Sequence, residues 1–147
     1  MAINQLSPKN ILLVEDNPAD VRMTKEALVN AKIHHNLHNV NDGRHAISFV
    51  RKEGKYTDAP HPDIILLDLN LPVKDGREVL AELKVDADLR HIPIVVLTTS
   101  ERNEDIKSAY DLHANCYVVK PLDFNQFCDA IKSIGNFWFT TVSLPRR

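Results

Sequence analysis

Residues 64–72 of the chain, IILLDLNLP, place a run of four apolar residues directly before Asp68. A short apolar run without alternation is typical of a strand that is buried on both faces. A second such run, ILLV at residues 11–14, leads into Glu15 and Asp16. Ligands of open α/β sheets bind at the carboxyl ends of the strands. The two segments therefore predict one acidic pocket built from the ends of two strands.

Strand-like and helix-like segments alternate five times along the chain. Strands are predicted at residues 10–14, 37–40, 63–67, 93–97 and 116–119. A helix is predicted after Asn17-Pro18, with Asn17 as N-cap and Pro18 at the first helical position. Further helices are predicted after the turn Asn41-Asp42-Gly43, from Asp75-Gly76, and again from about 101 and about 123. This alternation predicts an α/β fold, with a parallel sheet covered by helices on both faces.

Composition excludes several classes of protein. A length of 147 residues with 44% hydrophobic and 26% charged residues indicates one ordinary globular domain. The net charge of −2 gives no basic surface for nucleic acid. The chain starts without a signal peptide and contains no apolar run of membrane-spanning length, so we expect a cytoplasmic protein without a membrane partner. Cys116 and Cys128 are expected to be reduced thiols.

Four predicted strand ends carry polar groups, namely Glu15-Asp16, Asp68, Thr98 and Lys120. Three carboxylates at one sheet edge repel one another unless a cation lies between them. Oxygen ligands of this kind favour Mg²⁺. A carboxylate can attack phosphorus to give an aspartyl phosphate, while a metal ion, a lysine and a hydroxyl stabilise the phosphoryl oxygens. The set predicts phosphoryl chemistry at Asp68.

The same ordered set resembles the receiver domain of two-component response regulators over residues 9–136. The resemblance implies a flavodoxin-like, doubly wound sandwich with strand order 2-1-3-4-5. It divides the chain into an N-terminal extension (1–9), a receiver domain (10–136) and a C-terminal aromatic extension (137–147). It further implies that Asp68 accepts phosphate from a sensor histidine kinase. The family is a signalling family, so we expect at most self-phosphorylation and self-dephosphorylation rather than enzymatic turnover.

The resemblance also implies roles for the residues around Asp68. Asp16 and Asp68 would bind Mg²⁺ directly, Glu15 would bind it through water, and the Asn70 main-chain carbonyl would complete the protein ligands. Glu15 departs from the family pattern, which more often has Asp there, but the longer side chain suits a role through water.

A second group of residues would contact the phosphoryl group and change conformation when it binds. Lys120 would contact the phosphoryl group, and a cis peptide bond is expected between Lys120 and Pro121. Thr98 would move toward the phosphoryl group and Tyr117 would turn inward, forming a switch.

Features outside this set are similar to cyanobacterial phytochrome-partner response regulators. They are the loop at 51–62, the segment 90–97, and the ending Phe137-Trp138-Phe139 with Val142 and Leu144-Pro145. This likeness implies a phytochrome-type kinase and a homodimer through the fourth helix, fifth strand, fifth helix and tail. The tail aromatics could instead fold back onto their own last helix. Few residues follow residue 123, so we expect output by protein contact without a DNA-binding domain.

Two other functions fit an acidic sheet edge. A phosphatase of the haloacid-dehalogenase type also forms an aspartyl phosphate, but it needs a second acid two residues after the nucleophile. That position is Asn70, which cannot protonate a leaving group. A flavin-binding electron carrier would need a hydroxyl- and glycine-rich loop after the first strand, where this chain has the acidic segment 15–18.

Overall fold

The protein is described by a computed structural model that covers residues 7–141 and 143–145, with only the backbone described at 140 and 141. Residues 1–6 of the predicted N-terminal extension, and Val142 of the predicted tail, lie outside the described residues. Five strands and five α-helices alternate. They are β1 (Lys9–Val14), α1 (Pro18–Asn30), β2 (His35–Val40), α2 (Gly43–Arg51), β3 (Ile64–Leu67), α3 (Gly76–Val85), β4 (Ile94–Thr98), α4 (Asn103–Asp111), β5 (Cys116–Val119) and α5 (Phe124–Asn136).

The five strands form one parallel sheet in the order β2-β1-β3-β4-β5. Every strand end therefore faces the same edge, which is the geometry that the predicted pocket requires. The predicted α/β class, the parallel sheet and the strand order are confirmed. Strands β1, β3 and β4 are buried almost throughout, whereas all four residues of the edge strand β5 are only half-buried.

Helix starts follow the sequence signals. The Asn17 side chain accepts hydrogen bonds from the amides of Ala19 and Asp20, with Pro18 in the first turn of α1. Asp75 begins α3 with a capping box, in which its side chain and that of Glu78 cap each other's backbone. Helix α4 begins at Asn103, two residues later than predicted.

Two apolar clusters lie on opposite faces of the sheet. One contains the inward residues of α2 and α3, and the other contains those of α1 and α5. The strand residues alternate between the clusters, with Leu12 and Ile65 in the first and Ile11 and Ile64 in the second. Within the described parts of the chain, no helix combines the length and apolar character that a membrane span requires.

The C-terminal aromatics follow α5 as a short π-helical turn, Phe137–Thr141. Trp138 and Phe139 are half-buried and pack against the cluster of α1 and α5, so this part of the tail folds back onto its own domain. Phe137 differs, because half of its surface remains exposed.

Candidate functional site

The ends of β1 and β3 bring three carboxylates together. Val14 and Leu67 are register partners in the parallel ladder, so the acids that follow them start at the same level of the sheet. The Asp68 amide donates to the Val14 carbonyl at 3.1 Å, which fixes the two strand ends to each other. Carboxylate oxygens of Glu15, Asp16 and Asp68 all lie within 4.8 Å of one another. The pocket that the sequence predicts is therefore assembled.

Lys120 reaches this cluster from the end of β5. Its ammonium group donates to Glu15, lies 3.1 Å from an Asp20 oxygen and lies 3.7 Å from Asp68 Oδ2. The lysine backbone is held at the same time, because its amide donates to the Thr98 carbonyl at 2.7 Å. With Asp16 included, the carboxylates outnumber this one ammonium group, so a divalent cation would reduce the remaining repulsion.

In the Glu15–Lys120 contact, burial and ion pairing shift the pKa of each group in opposite directions. Burial raises the pKa of the Glu15 carboxyl to about 7, although the hydrogen bond and charge of Lys120 oppose that rise. Burial lowers the pKa of Lys120, but Glu15, Asp68 and Asp20 outweigh it, and the net pKa is raised. Lys120 therefore stays an ammonium ion at neutral pH. A buried charge of this kind is tolerated because it is paired.

Asp68 is oriented by the backbone around it. Its Oδ1 accepts a hydrogen bond from the Leu69 amide at 2.8 Å, which leaves Oδ2 on the side of Lys120. The start of α3 presses against the same backbone. A Cβ on Gly76 would lie 2.3 Å from the Asp68 carbonyl oxygen, so only glycine permits this approach.

Thr98 and Tyr117 lie beside the cluster on β4 and β5. Thr98 is fully buried, and its hydroxyl has no hydrogen-bond partner among the described residues. Such a group is rare in protein interiors, and a hydroxyl left without a partner is free to donate to a group that binds at the site. The Tyr117 side chain packs against the α2 and α3 cluster, and its hydroxyl donates to the Ser100 carbonyl at 3.0 Å. Burial raises the pKa of Tyr117.

Sequence reasoning missed two features of the site. The first is Asp20, one turn into α1, whose carboxylate contacts Lys120. The second is a polar chain in which the Ser100 hydroxyl donates to Asp105 at 2.6 Å and Arg77 contacts both Asp105 and Asp75. Asp20 is an acid in the first turn of α1, directly after the acidic segment, and this proximity in sequence was the available signal for it. The sequence offers no comparable signal for the Ser100–Asp105–Arg77 chain.

One peptide bond beside the site differs from expectation, and the loop after Asp68 has two further features. The Lys120–Pro121 peptide bond is trans, so the predicted cis bond is wrong. The trans form is the lower-energy state of an X–Pro bond, and Lys120 reaches the acids from it without difficulty. In the loop after Asp68, the Asn70 side chain is exposed, and Val73 has a positive φ of 67°, which is unfavourable for a β-branched residue.

Comparison with known proteins agrees with this geometry. A family model described as the response regulator receiver domain matches residues 11–132. The chain is 49% identical to the response regulator Rcp1 of Synechocystis sp. over 138 residues, which is 94% of each chain. It is 39% identical to the probable methanogenesis regulatory protein FilR2 of Methanothrix harundinacea, over 89% of this chain and 84% of that one.

Solved structures give the same relationship. The phosphorylated cyanobacterial phytochrome response regulator RcpA superposes with a TM-score of 0.90 and 51% identity, covering 95% of this chain and all of that one. The Mn²⁺-bound form of Rcp1 superposes with a TM-score of 0.88 and 48% identity, again over 95% of this chain and all of that one. The chain therefore belongs to the response regulator receiver domain family of two-component signalling.

Proposed function

We propose that this protein takes a phosphoryl group from a sensor histidine kinase onto Asp68, in the presence of Mg²⁺. The observation that carries the proposal is the juxtaposition, at one sheet edge, of a three-carboxylate cluster, a buried ammonium group and a buried hydroxyl that has no partner in the described part of the chain. An anionic group arriving at Asp68 would find a cation and a hydroxyl donor in reach. These are the groups that stabilise charge in phosphoryl transfer.

The residues present fit a hard divalent cation. The candidate ligands are carboxylate oxygens of Asp16 and Asp68, with Glu15 acting through water and the Asn70 main-chain carbonyl completing the set. Mg²⁺, when bound, would supply charge neutralisation of the phosphoryl oxygens. Supporting this choice, the related Rcp1 has been solved with Mn²⁺ bound.

The proposed reaction uses Asp68 Oδ2 as the nucleophile. A new O–P bond forms as the bond between phosphorus and the kinase histidine breaks. Lys120, now 3.7 Å from Oδ2, would shift from Glu15 toward the phosphoryl oxygens. The Thr98 hydroxyl would donate to another phosphoryl oxygen, and Tyr117, which is already directed toward Ser100, would be held inward.

Acetyl phosphate with Mg²⁺ tests this site directly. We expect modification of one residue as an acyl phosphate in the wild-type chain and none in Asp68→Asn. The matched control is Asp58→Asn, which removes an exposed carboxylate in the loop before β3. Persistent modification of Asp68→Asn would contradict the assignment. Turnover of a generic phosphomonoester far beyond the protein concentration would support a phosphatase instead.

We further propose that the kinase is a phytochrome and that the protein acts in the cytoplasm. Two relatives bear on this proposal: RcpA is a cyanobacterial phytochrome response regulator, and a bacteriophytochrome response regulator, RtBRR, is 40% identical with a TM-score of 0.76. The test is phosphotransfer profiling against purified phytochrome and non-phytochrome histidine kinases. We expect the fastest transfer from the phytochrome kinases, and equal rates from both groups would contradict the pairing.

We also propose that the protein signals by binding a second copy of the chain. The face formed by α4, β5 and α5 is incompletely covered, because all four residues of β5 are only half-buried. Tyr110, Leu122 and Phe137 are large apolar residues exposed at 48%, 97% and 50%. Sedimentation of the wild-type chain and of a truncation before Phe137 tests the tail's part. An unchanged mass would exclude the tail from the interface.

A further inference from the structure

Two histidines meet at the edge of the sheet opposite the acidic cluster. His61 lies in the loop before β3, and His91 lies in the loop before β4. Their Nε2 atoms are 3.2 Å apart and form a ring-to-ring hydrogen bond, so a metal ion bound by both nitrogens would replace that bond. The ring centres are 5.2 Å apart, with 22° between the ring planes. Because the nitrogens are closer than the ring centres, the two rings turn their nitrogen edges toward each other.

We propose that His61 and His91 together bind a divalent transition-metal ion of the Zn²⁺ class. A tetrahedral ion with Zn–N bonds of about 2.0–2.1 Å holds its imidazole nitrogens about 3.3 Å apart, close to the separation in this pair. Imidazole suits Zn²⁺, Cu²⁺ and Ni²⁺, whereas Mg²⁺ takes oxygen ligands. Water fills the remaining positions, so the two edges of the sheet select different classes of ion.

Both histidine loops are held in place by contacts that do not involve the rings. The Lys84 ammonium donates to the carbonyls on either side of His91, at 3.0 Å to Arg90 and 2.8 Å to Ile92. On the other loop, Asp63 exchanges two hydrogen bonds of 2.8 Å with the Asn10 backbone. The backbone that carries each ligand is therefore held in place, which lowers the ordering entropy that ion binding would cost.

The pair is also open to an ion from solvent. His91 is exposed, and His61 is half-buried. Both line a small cavity, whose other walls include Asp63 and the C-terminal residues Leu144 and Pro145. Asp63 brings negative charge to this cavity, which favours a cation.

Calorimetric titration of the full chain with ZnCl₂ tests the site, in a buffer that contains excess Mg²⁺ and no phosphate. We expect one Zn²⁺ per chain, and an affinity at least about tenfold weaker in His61→Ala and in His91→Ala. The control His34→Ala removes an exposed histidine elsewhere and should leave the affinity unchanged. Asp16→Asn and a chain with both cysteines changed to serine should also retain the site.

A second measurement uses the unmodified protein, so it does not depend on the folding of a variant. One equivalent of Zn²⁺ should shift the ring nitrogen resonances of two of the seven histidines and leave the others in place. Equal Zn²⁺ affinity in His91→Ala and the wild-type chain would overturn the proposal. So would equal weakening in His34→Ala, or ring shifts spread over many histidines. Phosphorylation of Asp68 is a separate readout, and its failure would leave this test intact.

Discussion

Lys120 is the residue on which the acidic cluster depends. Its ammonium group contacts Glu15, Asp20 and Asp68, which come from three different segments of the chain. Contact with Asp68 is the longest of the three, so the lysine is held mainly by the other two acids. Phosphate on Asp68 would add negative charge at that third position. Competition among the acids for one cation would then draw the lysine away from Glu15 and toward Asp68.

Thr98 allows a test of a buried hydroxyl for which the described residues supply no hydrogen-bond partner. Thr98→Val removes the hydroxyl at nearly constant volume, and we expect the free energy of unfolding to stay unchanged or to rise by up to about 1 kcal/mol. Chemical denaturation measures this change. Thr24→Val is the matched control, because Thr24 is equally buried but its hydroxyl donates to the Asp20 carbonyl at 2.8 Å. A greater loss of stability in Thr98→Val than in Thr24→Val would contradict the expectation.

Val73 carries backbone strain without compensating burial. Its φ is 67° and 75% of its surface is exposed. Glycine adopts this conformation freely, and relief of the strain outweighs the entropy that glycine adds to the unfolded chain, so Val73→Gly should stabilise the protein by up to about 1 kcal/mol. The control is Val29→Gly, at an exposed valine in the last turn of α1 where φ is not positive, which should destabilise by roughly 0.3–0.5 kcal/mol. Thermal unfolding of both variants measures these changes in stability. If both variants were stabilised, or both destabilised, the strain argument would be contradicted.

At the scale of elements, Glu82 links α2 and α3 with the loop before α3. It lies 2.7 Å from Arg51 and 2.8 Å from Lys74. The hydrogen bond from Lys74, followed by the charges of Lys74 and Arg51, outweighs burial and lowers the pKa of Glu82 from its ordinary value of 4.5. An acid whose pKa is lowered by folding stabilises the protein above its unfolded pKa, and that stabilisation is lost as the pH falls.

Glu82→Gln should therefore reduce the free energy of unfolding at neutral pH by up to about 1 kcal/mol. The gap between variant and wild type should close as the pH falls below 4.5 and through the lower folded pKa. The measurement is denaturant unfolding of variant and wild type at neutral pH and again at a pH below 4.5. Glu26→Gln, at an exposed position on α1, controls for the charge change. A gap that is independent of pH would show that packing, rather than charge, explains the loss.

Strands and helix starts were predictable because their causes are local. The apolar runs at 11–14 and 64–67, and caps such as Asn17 and Asp75, act within a few residues. The contact of Asp20 with Lys120 and the Ser100–Asp105–Arg77 chain join residues through space, and no periodicity encodes them. The trans bond at Lys120–Pro121 was also missed, because that expectation came from the family resemblance alone.

At the scale of the whole molecule, the aromatic tail has two roles, because Trp138 and Phe139 pack on the core whereas Phe137 lies at the surface. Trp138 packs on the cluster of α1 and α5, and its indole N–H interacts with Cys116. Trp138→Ala should therefore lower the free energy of unfolding by about 2 kcal/mol, less than a fully buried tryptophan would. Phe137→Ala is the matched variant, because that side chain is half exposed.

We expect Phe137→Ala to leave monomer stability nearly unchanged and to weaken self-association if the tail contributes to a dimer. Denaturation and sedimentation, run on both variants, separate these effects. Equal losses of stability in the two variants would contradict the division of the tail.

The contact between Lys120 and Glu15 spans 105 residues of sequence. During synthesis, β1 and β3 can pair and bring Glu15, Asp16 and Asp68 together before β5 has been made. Until Lys120 arrives, that nascent sheet edge carries three uncompensated carboxylates, and their repulsion opposes compaction. The contact forms only after β4 and β5 have joined the sheet, and long-range strand pairing of this kind is slow. The ability to accept phosphate would thus be acquired late in folding, which would prevent a half-folded chain from entering the signalling pathway.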